Sequence, residues 1–359
     1  MFLPDVAPFS LPPAEKSRYL AEQLRRLLDH HRQHCAGYAR LVSDWEQHRR
    51  AEDWSVDHYP FIPVTAFKEY ALRSTDNEVA TVRSSATTSG KSSNIFVDRS
   101  TKKRQSLSAA KILTDFVGGQ QRPYLVFDVE ATVRGTESLS ARGAAILSLA
   151  HLASEFLFVM RDADGQLQLD LGALASAIEK IGQRPFLAYG FTYLLYRAHQ
   201  DLSNGRTPLR PAHPESVLLH SGGWKRLSEL AVDKASFNRT VSAPWGLPAE
   251  NVIDFYGTVE QVGVPYPDCR FGHKHVPYWA DVVIRKADSL AAADCHETGL
   301  IQLINCLPLS APNHSVLTED LGRLALNDGC PCGRRGKAFV FEGRAPRSEL
   351  RGCSDVARY

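Results

Sequence analysis

The chain has 359 residues, enough for one large domain or two ordinary ones and for a sizeable buried core. An apolar fraction of 43%, a charged fraction of 23% and a formal net charge of +2 describe a globular protein and give no basis for a nucleic-acid or anionic-membrane partner. No apolar run reaches the length of a membrane span, and the amino-terminal MFLPDVAPFSLPP lacks the basic start and long apolar stretch of a signal peptide, so a cytoplasmic protein is expected.

In chain order, residues Ala14 to about Val42 place Leu20, Leu24, Leu27, Leu28 and Leu41 at helical spacing, behind Pro12 and Pro13, where a helix start tolerates proline. This predicts one long amphipathic helix with a basic outer face, on whose solvated side His30, His31 and His34 fall. After Tyr59 the stretch PFIPVTAF is broken by prolines and reads as extended chain or loop. A segment dense in hydroxyls, SSATTSGKSS at Ser84–Ser93, follows an apparent strand and precedes IFVD. Strands are then expected at Tyr124–Val129, Glu155–Met160, Phe186–Tyr189, Ser216–His220 and Val252–Phe255. Helices are expected at Ala141–Ala153, Leu169–Ile181 and Phe191–Gln200, with a turn at Asp164-Gly165. The alternation argues for an α/β fold with a largely parallel sheet. The last third differs: Trp279–Arg285, Gly299–Asn305 and Ala338–Glu342 read as strands separated by loops, and Thr318–Gly322 as a polar turn. The expected division is a helical segment over 1–58, an α/β core over 59–265, a β-rich subdomain over 266–345 and a tail over 346–359 that carries Cys353.

Three segments carry chemistry. The hydroxyls of Ser84–Ser93, with Gly90 and Lys91, suit a phosphate-cradling loop, although a polar surface loop has the same composition. The loop is not of the Walker A type, because Ser85 stands where that motif needs glycine. In DFYGTVE, Asp254–Glu260, an apolar strand runs into an aromatic, a glycine and a carboxylate: an aromatic at a strand end can stack on a base, and a carboxylate can hold Mg²⁺, while an ordinary strand-to-helix turn reads the same way. Asp320 could accept hydrogen bonds from ribose hydroxyls and Arg344 could contact ribose or phosphate oxygens; the alternatives are a capping aspartate and a surface arginine.

Seven cysteines, six of them between Cys269 and Cys353, are not a secreted disulfide framework; such clustering suits a metal or catalysis. Cys330-Pro331-Cys332-Gly333 together with Cys269-x₃-His273-x-His275 offers a tetrahedral Zn²⁺ set, with Cys269, His275, Cys330 and Cys332 the preferred four and His273 the alternative imidazole. A glycine turn with unligated thiols is the competing reading. Cys295 and Cys306 read as bystanders. Cys353 lies in LRGCSD near Arg347 and Arg351, whose charges favour a thiolate.

The order of these pieces resembles the adenylate-forming (ANL) superfamily from end to end: the hydroxyl-rich loop, HSGGWKRL (His220–Leu227), DFYGTVE, TEDLG and GRAPRSELRGC. Within it the chain is most similar to the LuxE-like acyl-protein synthetases, with phenylacetate–CoA ligases as cousins, and PFIPVTAFKE (Pro60–Glu69) is similar to the family's opening segment. The resemblance covers about Pro60 to Cys353. It implies the large N-terminal domain of such an enzyme, αβα sheet layers plus a β-rich subdomain, without the mobile C-terminal domain that carries a catalytic lysine.

By the same resemblance Thr87, Thr88, Ser89, Gly90, Lys91 and Ser92 match the phosphate loop, and Gly222, Gly223 and Trp224 the segment along the adenine. Tyr256, followed by Gly257, matches the aromatic that stacks on adenine; Thr258 and Glu260 match residues near the α-phosphate and Mg²⁺. Asp320 matches the ribose-binding aspartate and Arg344 the arginine at the end of the large domain. Cys353 resembles the cysteine that takes the acyl group, with Glu260 and Lys91 as its catalytic companions. The loop departs from the more usual Ser-Gly-Thr-Thr-Gly pattern by one glycine. The implied function is ATP-dependent activation of a fatty or aromatic carboxylic acid as an acyl-adenylate, then transfer to a thiol of Cys353, an acyl carrier protein or CoA, with an acyl reductase as a further partner. ATP and Mg²⁺ are the implied cofactors, and structural Zn²⁺ has phenylacetate–CoA ligase parallels. The alternatives are a truncated aryl- or acyl-CoA ligase that only adenylates, and a non-catalytic scaffold with the same fold. Tyr189–Tyr196 and Asp128–Gly135 are candidate segments for the acid pocket.

Overall fold

The computed structural model describes residues 2–3, 5–47, 55–83, 93–134, 140–204, 209, 211–224, 229 and 231–345. The chain clusters into two compact units, the first formed by Met1–Ile112 and Thr258–Tyr359, the second by Leu113–Gly257. The segment 59–265 therefore contributes to both.

The chain begins with α1 (Pro13–His34), α2 (Ala36–Gln47), β1 (Ile62–Pro63), α3 (Ala66–Glu69), β2 (Glu78–Arg83), β3 (Asn94–Asp98) and α4 (Arg99–Val117). The second unit continues with β4 (Arg122–Phe127), α5 (Ala131–Arg134), α6 (Ala141–Ser148), β5 (Ala153–Phe158), the hairpin β6 (Met160–Ala163) and β7 (Gln166–Leu169), α7 (Leu171–Ile181), β8 (Leu187–Phe191), α8 (Thr192–Asn204), β9 (Val217–Ser221), α9 (Lys234–Ser242) and β10 (Val252–Tyr256). The chain then returns to the first unit with β11 (Tyr266–Pro267), β12 (Lys274–His275), β13 (Ala280–Arg285), β14 (Thr298–Asn305), β15 (Ser315–Leu326) and β16 (Ala338–Arg344).

In the second unit five parallel strands run in the order β10-β9-β8-β4-β5. Every residue of β8 is buried, and so is β4 from Pro123 onward, as expected of parallel strands covered on both faces. Three helices start on side-chain caps: Ser140 accepts from Gly143 N, Asp170 from Ala173 N and Asp233 from Ser236 N. Inside this core the Trp245 indole donates to His199 Nε2 at 2.8 Å, so the imidazole proton sits on Nδ1 and goes to the Leu195 carbonyl at 2.7 Å. The carboxyl ends of β4, β8, β9 and β10 lead into Asp128, Thr192, Gly222 and Gly257, all at one edge of the sheet, where open α/β folds bind ligands.

The first unit is built on an antiparallel sheet in the order β12-β16-β15-β14-β13, to which β1 adds in parallel with Ile62 opposite Val316. Leu20, Leu24 and Leu27 of α1 pack with Val283, Ile304 and Cys306 of this sheet region. A second cluster joins Tyr38 and Val42 of α2 to Phe67, Val82, Ile95, Val97 and Val316.

Four local expectations change. The single helix over Ala14–Val42 is two helices, broken at Cys35, which is extended at φ −137° and ψ 96°. Two residues on, a Cβ at Gly37 would lie 2.9 Å from Leu72 Cδ2, so the second helix approaches its neighbour through a glycine. The break shifts the phase of the stripe, and Leu41 faces solvent. Thr318–Gly322 is no turn: it lies inside the twelve-residue β15. PFIPVTAF does contain extended chain, but it also adds β1 to the sheet and opens α3.

The fourth concerns His31, which is buried rather than solvated. It stacks on buried His314 with ring centroids 4.8 Å and planes 10° apart. His31 Nδ1 meets Ser74 Oγ at 2.8 Å and His314 Nε2 meets Tyr38 Oη at 3.1 Å, while His314 Nδ1 is buried without a hydrogen-bond partner among the described residues. Burial, with the neighbouring His30, pushes His314 down to about 3; burial and then His314 push His31 well below the usual imidazole range. Below about pH 6.5 the unfolded chain takes up protons that these two imidazoles refuse in the folded state, so stability falls with pH from there down towards the folded values. Denaturant titrations between pH 7.5 and 5 should show this loss. His314→Phe, which keeps a ring in the stack, should make the slope shallower by about 1.4 kcal/mol per pH unit below pH 6.5.

Candidate functional site

The most compact cluster of chemistry lies in the first unit. Cys269, His275, Cys330 and Cys332 bring one ligand atom each to within 4.8 Å of one another. Cys269 Sγ and Cys330 Sγ are 3.9 Å apart, and Cys332 Sγ is 3.2 Å from His275 Nε2. The edge of a tetrahedron of thiolates about 2.3 Å from zinc is about 3.8 Å, so the four donors already hold that spacing. Two tight turns present them: Gly272 N donates to the Cys269 carbonyl at 2.8 Å, and Gly333 N to the Cys330 carbonyl at 2.9 Å. His275 is fixed by β12, which pairs with β16 opposite Ala338, and the buried Lys274–Asp268 ion pair at 3.2 Å closes the loop. His273 stays nearby, with Nδ1 3.5 Å from Cys330 Sγ, but His275 completes the set. Burial, aided by Arg334 and His273, brings His275 down to about 4 and leaves its ring neutral, the state in which imidazole ligates. All four positions are protein side chains, which is the closed pattern of a structural site.

Elsewhere in the same unit, Thr258 leads into the short 3₁₀ turn Val259–Gln261. Glu260 is buried there, and burial raises its carboxyl above the usual range; the Ser93 hydroxyl and the Lys68 charge act against the rise, and Asp320 with it. The Thr258 hydroxyl is buried with no hydrogen-bond partner among the described residues. A carboxamide network fixes this turn: Asn313 Nδ2 donates to the Glu260 carbonyl at 2.6 Å, Gln261 Nε2 donates to the Asn313 carbonyl at 2.5 Å, and Asn305 Nδ2 donates to Gln261 Oε1. Asp320 and Arg344 are register partners on β15 and β16. Arg344 binds Glu319 at 2.6 Å and is otherwise exposed.

In the second unit, Gly222 and Gly223 follow β9 as an exposed strip, with Gly222 at φ +79°, a conformation open to glycine at no steric cost. Trp224 turns back onto the core, edge-on to Tyr196 with ring centroids 5.0 Å apart. Tyr256 closes β10 and is nearly buried. Around this edge run polar contacts: Tyr189 Oη to Ser221 Oγ at 2.7 Å, Thr192 Oγ1 to His220 Nδ1 at 2.9 Å, and His220 Nδ1 to Asp254 Oδ1 at 3.7 Å. Asp128 is buried and accepts from Val129 N and the Thr132 hydroxyl, with Arg142 Nε 3.2 Å away.

Thr87, Thr88, Ser89, Gly90, Lys91, Ser92 and Cys353 lie outside the described residues. The strands that flank the hydroxyl-rich loop do meet, with Arg83 opposite Asn94 in an antiparallel pair. Sequence reasoning did not find Lys68, Ser93, Gln261 or Asn313 beside Glu260, nor Thr192 beside the glycine strip. Lys68, Ser93, Asn313 and Thr192 are single polar residues far along the chain from their partners, and Gln261, next to Glu260, carries no motif that marks it.

The chain matches the family described as "Acyl-protein synthetase, LuxE" over residues 2–358. No curated protein matches it. Among solved structures it is similar to 2-hydroxyisobutyryl-CoA ligase in an open conformation with 2-HIB-AMP and CoA, at a TM-score of 0.67 and 14% identity over 96% of this chain and 80% of that chain. The same ligase in its postadenylation state with 2-HIB-AMP gives 0.67 and 14% over 96% and 72%, and in its thioesterification state with 2-HIB-AMP and CoA 0.66 and 14% over 97% and 73%. At that identity the likeness is one of fold, and the fold is that of the adenylate-forming enzymes.

The protein is expected to carry close to one zinc ion per chain when its metal content is measured by mass spectrometry. Cys332→Ser should lose the ion, whereas Cys295→Ser should retain it, since Cys295 is exposed and lies outside the cluster. Chelation should lower the melting temperature of the wild type and leave that of Cys332→Ser unchanged.

Proposed function

The chain belongs to the LuxE acyl-protein synthetase family, and from that premise we propose that it condenses a carboxylic acid with ATP to an acyl-adenylate and passes the acyl group to a thiol. The observation that carries the reading is Glu260: its carboxyl is buried at the end of the DFYGTVE turn and raised by burial, while the Asn313 carboxamide holds its main-chain carbonyl. A buried acid of this kind costs free energy unless something compensates its charge. With Asp320 and the Thr258 hydroxyl, Glu260 would hold Mg²⁺, which when bound neutralises charge on the phosphates.

In the proposed reaction the substrate carboxylate attacks the α-phosphorus of ATP, the bond to the bridging oxygen breaks, and pyrophosphate leaves. Gly222, Gly223 and Trp224 line the adenine, Tyr256 stacks on it, Asp320 takes the ribose hydroxyls, and Thr87–Ser92 with Lys91 hold the departing phosphates. Arg344 contacts the ribose or phosphate oxygens. The protein's contribution is positioning and charge. A thiolate then attacks the acyl carbon, AMP leaves, and a thioester remains. Cys353 is the proposed acceptor, and a carrier-protein thiol or CoA the alternative; the similar ligase was crystallised with an acyl-AMP and CoA. Zn²⁺ at Cys269, His275, Cys330 and Cys332 is structural in this scheme.

Intact-protein mass spectrometry after incubation with Mg²⁺·ATP and a panel of fatty and aromatic acids tests the acceptor. An acyl-sized gain is expected in the wild type and none in Cys353→Ser, which should still catalyse acid-dependent pyrophosphate exchange. Glu260→Gln should slow that exchange on the order of 100-fold, as loss of a group that stabilises transition-state charge does elsewhere. Wild-type protein with neither a mass gain nor exchange with any acid would leave a non-catalytic scaffold as the reading.

A further inference from the structure

The residue that fixes the glycine strip lies on another element. Thr192 is the first residue of α8 and is buried. Its hydroxyl oxygen is 2.5 Å from the Gly222 carbonyl, 3.2 Å from the Ser221 carbonyl and 2.9 Å from His220 Nδ1. Two oxygens at 2.5 Å need a proton between them, and a carbonyl has none to give, so the Thr192 hydroxyl donates to Gly222. Having spent its one proton, the hydroxyl can only accept from His220. The proton of that imidazole is therefore on Nδ1, and the Asp254 carboxylate 3.7 Å away favours it there. Thr192 thus ties three consecutive residues, His220, Ser221 and Gly222, to the start of α8.

We propose that Thr192 is a positioning residue for nucleotide binding: it sets the path of the backbone at Gly222, and through it the affinity for the adenylate moiety. This rests on the reading of Gly222–Trp224 as the adenine strip. The strip needs such a clamp. Gly222 and Gly223 are exposed, Gly222 holds a positive φ, and neither has a side chain to anchor it. Glycine has the largest conformational entropy to lose, so an unanchored pair would be ordered at the expense of ligand affinity. Thr192 orders the strip before the ligand arrives.

Thr192→Val keeps the shape and removes the hydroxyl; Thr192→Ser keeps the hydroxyl. Calorimetric titration with AMP and with ATP, well below the melting temperature, reads both affinity and the fraction of competent protein. Thr192→Val is expected to weaken AMP binding about tenfold with a stoichiometry near that of the wild type, and Thr192→Ser to stay within about twofold of it. If Thr192→Val binds AMP as tightly as the wild type, or loses only stoichiometry while the remaining sites keep wild-type affinity, Thr192 is merely structural and the proposal fails. If the wild type itself binds neither nucleotide, the adenine-strip reading fails and the proposal with it.

Discussion

A polar group buried in a protein must find a partner or give up its charge, and much of this molecule is arranged around that constraint. The turn that carries Glu260 is three residues long and has no side-chain cap of its own. Its geometry comes from Asn305 and Asn313, which lie some fifty residues on, at the end of β14 and in the loop before β15. The carboxamides are suited to this task because each offers both donor and acceptor. Gln261 does both: its Nε2 donates to the Asn313 main-chain carbonyl and its Oε1 accepts from Asn305, while Asn313 Nδ2 donates to the Glu260 main-chain carbonyl. The same constraint fixes His199 against Trp245 and His220 against Thr192, where the partners determine which ring nitrogen carries the proton. Buried networks that are satisfied in this way have one arrangement, and a site that must hold reacting atoms within a fraction of an ångström needs such supports.

The cysteine–histidine cluster extends the argument to the N-terminal segment. The Phe9 ring lies 6.0 Å from that of His275, the Phe9 carbonyl accepts from Arg335 N at 2.7 Å, and the Pro8 carbonyl accepts from Tyr278 N at 2.9 Å. Residues at the start of the chain are thereby laid against the two loops that supply the four ligands. The segment is apolar, with Phe9 and Leu11 buried, and as a chain terminus its order depends on what it docks against. Metal at the cluster would fix both loops at once.

The alternating part of the fold was legible because buried parallel strands are short, continuous apolar runs. Phe186–Tyr189 and Val252–Phe255 announce themselves, and the structure extends them only to Leu187–Phe191 and Val252–Tyr256. The four metal-ligand candidates were legible because turns of Cys-x-Cys and Cys-x₃-His-x-His type carry their geometry locally. What was hidden was set by partners far along the chain. TEDLG has the composition of a turn, yet it is held in β15 by strands on both sides and by β1 below it in sequence by more than two hundred residues. His31 lies four residues after Leu27 and three after Leu28, on the apolar stripe, but its polarity reads as a solvated face until His314 returns to stack on it. Lys68, Ser93 and Asn313 gather at Glu260 from three separate segments, which no periodicity could reveal.

The proposed roles divide along the chain in a way that suits the chemistry. The second unit supplies a rigid parallel sheet, and its contribution is shape: a glycine strip, an aromatic at a strand end, and polar contacts that hold both. The first unit supplies charge: Glu260 and Asp320, with Lys68 in opposition. Gly257 and Thr258 are the last and first residues of the two units at the crossing, inside the motif whose aromatic belongs to one and whose carboxylate belongs to the other. Adenylation needs both kinds of group within the length of a nucleotide. Tyr256, proposed to stack on the base, and Glu260, proposed to carry charge, stand four residues apart in the sequence, so covalent geometry limits how far apart they can lie. That is a physical reason for this short motif to carry so much of the functional signal.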